Sequence, residues 1–217
     1  MQFDLIVFDW DGTLMDSTAH IVRAIQRACA ACQLPVPTRE AASHVIGLSL
    51  ERALATACPG QSPASYRALA DAYRYHYLSG EETVELFAGV QESLAAWHAR
   101  GTLLAVATGK SRKGLNRALA ASQLERTFAT TRTVDECHSK PDPQMLHEIM
   151  DALGVAPQRV LMVGDTSHDL QMAHNAGTHA IGVSYGAHPT DTLAQYQPAA
   201  IFDDFASLSQ WLTPRLC

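Results

Sequence analysis

No stretch of this sequence approaches the roughly 20 consecutive apolar residues that a membrane-spanning helix requires. Basic residues are also scarce: 16 Lys plus Arg stand against 22 Asp plus Glu, a net charge of −6 with His neutral. A nucleic-acid binder that works by neutralising phosphates needs a basic stripe, and none offsets this acidic total. The opening Met1-Gln2-Phe3-Asp4 runs straight into an apolar segment, with no positive n-region, long apolar h-region or small-residue cleavage site. We therefore expect no secretory signal. The cysteines, Cys29, Cys32, Cys58, Cys137 and Cys217, are odd in number and irregularly spaced. That pattern fits reduced thiols rather than a disulfide framework. Internal repeats and low-complexity segments are missing. These absences predict a cytoplasmic protein with no nucleic-acid or membrane partner; the expected state is monomer or homodimer, which no feature of the sequence decides.

What is present is enough for a packed core. The 217 residues allow one large domain or two small ones at roughly 150 residues per domain. A chain of this length buries about 70% of the surface it exposes when unfolded, so it needs no covalent staple. Apolar residues at 47% and charged residues at 18% exclude a disordered or fibrous chain. Nearly continuous apolar runs at 5–8, 103–107, 160–163 and 180–183 predict strands, with weaker ones at 127–130 and 200–202. Such runs suit parallel strands covered by helices on both faces. Helical periodicity falls between them, at 91–100, 113–121, 143–153, 169–176 and 206–212. The alternation predicts an α/β protein with a doubly wound, Rossmann-like parallel sheet.

One segment breaks the alternation. Between 17 and 86 there is helical periodicity and no convincing strand, with helices expected at 17–32, 50–57 and 63–78 and turns at Gly47 and Pro59-Gly60. We expect residues 1–16 and 87–217 to form the α/β core, and 17–86 a small inserted all-helical domain.

In open α/β sheets, ligands bind at the carboxyl ends of the strands. After the first strand comes Asp9-Trp10-Asp11-Gly12-Thr13-Leu14, with two carboxylates two residues apart before a glycine turn. After the second comes Thr108-Gly109-Lys110-Ser111, and after the weak third Lys140-Pro141-Asp142, where a proline suits the first turn of a helix. After the fourth comes Gly164-Asp165-Thr166-Ser167-His168-Asp169. Ordinary polar loop caps could account for any one of these segments. They account poorly for four segments that bring carboxylates, a hydroxyl and a lysine to one rim.

In that order the motifs resemble the haloacid dehalogenase superfamily of phosphatases, and the helical insert after the first motif is similar to its subfamily with a C1-type helical cap. The run from Phe8 to Ser17 resembles the phosphoglycolate phosphatase-like branch. The resemblance implies a small phosphorylated metabolite as substrate and Mg²⁺ as cofactor, held by Asp9, the backbone carbonyl of Asp11 and Asp165, with Asp169 acting in support or through water. Asp9 would be the nucleophile, a known use of a carboxylate, forming an aspartyl-phosphate. Asp11 would protonate the leaving oxygen and then deprotonate the hydrolytic water. Thr108, Gly109 and Lys140 would hold the phosphoryl group, where positioning and charge stabilisation supply most of the rate.

Other residues read more blandly. Thr108 is also a candidate helix N-cap. Lys110 reads as a solvated loop lysine, and His20 and His168 as structural or solvent-facing. Cys29-Ala30-Ala31-Cys32 lacks a second pair and reads as two small buried side chains. The ten histidines carry no His-Glu-x-x-His cluster, so zinc is not expected. Arg52, just past the Gly47 turn, is the candidate for a substrate carboxylate or second phosphate. Leu50 stands where related sugar-phosphate mutases carry a basic residue, and Asp11 is absent from the dehalogenase members. The alternatives are hydrolysis of a sugar phosphate, nucleotide or pyrophosphate, a phosphomutase, or a non-catalytic sensor of a phosphorylated ligand.

Overall fold

A computed structural model describes residues 2–79 and 84–216; Met1, residues 80–83 and Cys217 lie outside them. The first strand, β1 (Leu5–Phe8), is buried along its whole length. Its residues alternate between two hydrophobic clusters, Ile6 and Phe8 on one face of the sheet and Leu5 and Val7 on the other. A strand covered on both faces has no polar side to show, which is why it reads as an unbroken apolar run. The same alternation holds in β2 (Leu103–Thr108) and β4 (Val160–Gly164).

With β3 (Thr130–Thr133), β5 (His179–Val183) and β6 (Ile201–Phe202), these strands form one six-stranded sheet in the order β3-β2-β1-β4-β5-β6. Every pairing is parallel. One face is covered by α5 (Val90–Ala99), α6 (Arg112–Ser122) and α10 (Phe205–Leu212), through Leu94, Trp97, Leu115, Phe205 and Leu208. The other is covered by α7 (Gln144–Leu153) and α8 (Ser167–Ala176), through Leu146, Ile149, Met172 and Ala173. The fold is the Rossmann-like α/β architecture. Chain order reverses between β1 and β4, and the crevice outside that junction is where such sheets bind ligands.

Between β1 and α5 the chain forms α1 (Thr18–Ala31), α2 (Arg39–His44), α3 (Leu50–Ala57) and α4 (Pro63–Leu78). In α1, Ile21, Val22, Ile25, Ala28 and Cys29 are buried, a spacing that lines one helical face. They meet Ala42, Leu54 and Leu69 from the other three helices in a cluster of their own. Ser62 accepts a hydrogen bond from Ser65 N–H and Pro63 takes the first helical position, which fixes where α4 starts. The chain enters and leaves this segment side by side: Met15 bridges Leu86, and Asp16 N–H donates to Glu85 O at 2.9 Å.

Several elements depart from the sequence reading. The third strand lies three residues later than expected, at Thr130–Thr133. Two short helices, α2 and α9 (Thr190–Ala194), were not expected. Pro141 is not in the first turn of a helix: α7 begins at Gln144, and the Lys140–Pro141 bond is cis. Cys29 is buried, but Cys32 is only half-buried at the end of α1. Among the described residues no helix is long and apolar enough to cross a membrane.

Candidate active site

The register of the sheet places the polar segments side by side. Phe8 lies opposite both Val106 and Val163, and Asp9 N–H continues the ladder to Val163 O at 2.9 Å. Asp9 and Asp165 thus leave adjacent strands at the reversal of chain order. Asp169 joins them from the first turn of α8. Thr166 caps this helix, accepting from Asp169 N–H, while Asp169 Oδ2 accepts from Thr166 N–H and Oγ1. This capping box fixes the Asp169 carboxylate.

Oxygens of Asp9, Asp165 and Asp169 all lie within 4.8 Å of one another, and the three side chains are essentially sealed from solvent. Lys140, itself fully buried, donates to Asp9 Oδ1 and to Asp169 Oδ1, both at 2.6 Å. Asp165 accepts from Thr13 Oγ1 at 2.9 Å and Ala187 N–H at 2.7 Å. Asp9 Oδ2 is buried with no hydrogen-bond partner among the described residues.

With every group ionised, three carboxylates and one ammonium would place two surplus negative charges in a low-dielectric pocket. Burial raises the Asp9 carboxyl to about 7, and neighbouring Asp169 adds to the rise, against the pull of Lys140. Burial, then Asp9 and Asp169, push Asp165 upward too. Burial works against the Lys140 charge, but Asp169 and Asp9 outweigh it and raise its pKa. The residues fit a divalent cation on three counts: hard oxygen donors, an uncompensated charge of two and an orphaned buried oxygen.

Other expected residues fall into place differently. Thr108 is buried at the end of β2, but it does not cap α6; Ser111 does. Lys110 is not a solvated loop lysine. Its side chain is about 10% exposed and ion-paired at 2.8 Å with Asp11, whose oxygens are not among those of the acidic triad. Arg52 is exposed and turns its guanidinium to backbone, donating to Lys140 O at 3.0 Å and Ser139 O at 3.4 Å. His20 donates to Tyr77 O and His168 to His44 O, both structural contacts. Thr13, Ser17, Ala187 and Tyr77, which contact the acidic groups or Lys110, were missed; only Thr13 and Ser17, beside the first motif, carried a sequence signal.

Close approach dictates glycine at several positions around the site, Gly12 and Gly109 among them. At Gly12, with φ of +82°, a Cβ would strike the Asp165 carboxylate. At Gly109 a Cβ would lie 2.5 Å from Gly47 O and 2.6 Å from Leu48 O, in the turn between α2 and α3. Backbone cannot yield as a side chain does. We expect Gly109→Ala to displace that turn and cost about 1–3 kcal/mol, read as a lower denaturant midpoint.

Comparison with known proteins follows the geometry. Residues 6–183 match the family model for haloacid dehalogenase-like hydrolases. The chain belongs to that family. It is 37% identical over 212 residues to a Dickeya dadantii protein named probable phosphatase IndB, covering 94% of this chain and 91% of that one. It is 30% identical to the phosphoglycolate phosphatase of Aliivibrio fischeri, covering 94% of each. A crystal structure from Haemophilus somnus, described as a predicted phosphoglycolate phosphatase, superposes with a TM-score of 0.85 at 29% identity, covering 97% of this chain and 98% of that one. This haloacid dehalogenase-like chain thus carries its four polar segments on one sheet rim.

Proposed function

We propose that the chain is a Mg²⁺-dependent phosphatase of a small phosphorylated metabolite, with phosphoglycolate the first candidate and an aspartyl-phosphate on Asp9 as intermediate. The observation that carries it is Asp9, buried at a strand end and held by Lys140 through Oδ1, with its Oδ2 left without a hydrogen-bond partner among the described residues. A divalent cation held by Asp9, Asp165 and Asp169, with the Asp11 backbone carbonyl, would relieve repulsion between the anionic ester and the carboxylate. Asp9 attacks phosphorus and the P–O bond to the alcohol breaks, the leaving oxygen taking a proton from the Asp11 carboxyl. Water then attacks phosphorus and gives a proton to Asp11, and the bond to Asp9 breaks to release inorganic phosphate. Lys140 donates to Asp9 and Asp169 and keeps one N–H for the phosphoryl group, with Thr108 and the Gly109 backbone beside it. Residues 17–86 act as a cap domain that excludes water from the rim, and Arg52 at its edge meets the distal end of the substrate.

The test is phosphate release from phosphoglycolate, sugar phosphates, nucleotides and pyrophosphate, with Mg²⁺ and with chelator. Metal-dependent release, greatest for phosphoglycolate, is expected. A folded protein that releases phosphate from none of them overturns the phosphatase reading in favour of a binding role.

A further inference from the structure

We infer that Lys110, braced by Tyr77 of α4, is a positioning residue that holds the Asp11 carboxylate for proton transfer. The inference rests on the phosphatase reading and adds to it a link between the helical segment and the acid–base group. Lys110 Nζ donates to Asp11 Oδ1 at 2.9 Å and Oδ2 at 2.8 Å, and Ser17 Oγ donates to Oδ1 at 2.6 Å. Both oxygens are thereby fixed, where a lone Asp side chain would rotate, and Oδ2, with one donor among the described residues, keeps a lone pair for the proton that Asp11 gives and takes.

The third Nζ proton is also accounted for. It goes to Tyr77 Oη at 3.1 Å, with Nζ 5.2 Å from the centre of the Tyr77 ring. An ammonium has three donors, so this geometry leaves none for a phosphoryl group. That separates Lys110 from Lys140, which has two side-chain acceptors among the described residues. Tyr77 is itself held: its carbonyl accepts from His20 Nε2 at 2.8 Å, the His20 ring meets it edge-on at 4.8 Å, and Tyr73 stacks at 5.7 Å. Contacts therefore run from α1 and α4 through Tyr77 and Lys110 to Asp11, so the seating of the helical segment on the core sets where Asp11 points.

The experiment compares kcat/KM on p-nitrophenyl phosphate, whose phenolate leaves unaided, with the best alkyl phosphate of the panel, whose alkoxide needs a proton. This parameter reads through departure of the leaving group, the step that general acid catalysis speeds roughly 10²–10⁴-fold. Asp11→Asn should lose at least 100-fold more on the alkyl ester than on the aryl ester. Lys110→Met should show the same bias by at least tenfold with KM little changed, and Lys110→Arg should recover part of it. Tyr77→Phe, which keeps the ion pair, should give a smaller bias of the same sign and decides the matter if Lys110→Met does not fold. Equal losses on both esters in the Lys110 and Tyr77 variants, with the Asp11→Asn bias intact, overturn the inference and leave the phosphatase reading standing. No bias in Asp11→Asn overturns the inference together with the acid–base role of Asp11.

Discussion

Asp9→Asn is expected to reduce phosphate release by roughly 10⁴-fold or more, the scale seen when a covalent nucleophile is removed. The amide nitrogen carries no lone pair able to attack phosphorus, while the remaining carbonyl oxygen can still accept from Lys140, as Asp9 Oδ1 does at 2.6 Å. Shape and that hydrogen bond survive, and only nucleophilicity is lost. The variant should therefore fold as the wild type does. It should even gain stability in chelator, since one of three buried carboxylates beside a single lysine becomes neutral. Phosphate release and thermal melting on the same preparation check both halves. Turnover within tenfold of wild type would remove Asp9 from the chemistry.

How much of this was legible in the sequence follows from what each residue contacts. β1 reads at its true bounds because Leu5, Ile6, Val7 and Phe8 are all buried, two on each face. β3 lies at the sheet edge as Thr130-Thr131-Arg132-Thr133, mostly half-buried, so an apolar signal three residues earlier displaced it. α2 and α9, at six and five residues, are too short to show two turns of periodicity. The four polar segments were legible because a parallel sheet brings strand ends together whatever the loops do. Which groups pair was not. Lys110 meets a tyrosine 33 positions earlier in another element, and no local pattern encodes that contact. Likewise Arg52 shows a charge in the sequence but not that its guanidinium turns to the carbonyls of Ser139 and Lys140.

The acidic triad should make folding stability fall as pH rises, and a divalent cation should reverse the effect. Asp9 holds its proton up to about 7 in the folded protein, because burial and then Asp169 disfavour its charge, against an ordinary value of 3.8. Asp165 is raised for the same reasons. Between these limits the unfolded chain has released protons that the folded chain retains. Folding then takes up protons, and stability present below pH 4 is lost as pH climbs through about 7. At about 1.4 kcal/mol for each tenfold of proton affinity, Asp9 alone contributes at most about 4 kcal/mol. His188 works in the opposite sense: burial and then His168 lower it from 6.5 to about 4, so its neutral form favours folding as pH rises over that range. The decisive quantity is therefore the difference between wild type and Asp9→Asn, which cancels His188. In chelator that difference should widen from pH 5 to about pH 7 and then level off, with the variant the more stable. Metal binding requires deprotonated ligands, so added Mg²⁺ should stabilise wild type most at the alkaline end, by about 2.7 kcal/mol at a hundredfold excess over Kd. Denaturant melts across pH, with and without Mg²⁺, read both terms. A wild-type curve parallel to that of Asp9→Asn and indifferent to Mg²⁺ would mean that the triad carries no excess charge and holds no cation.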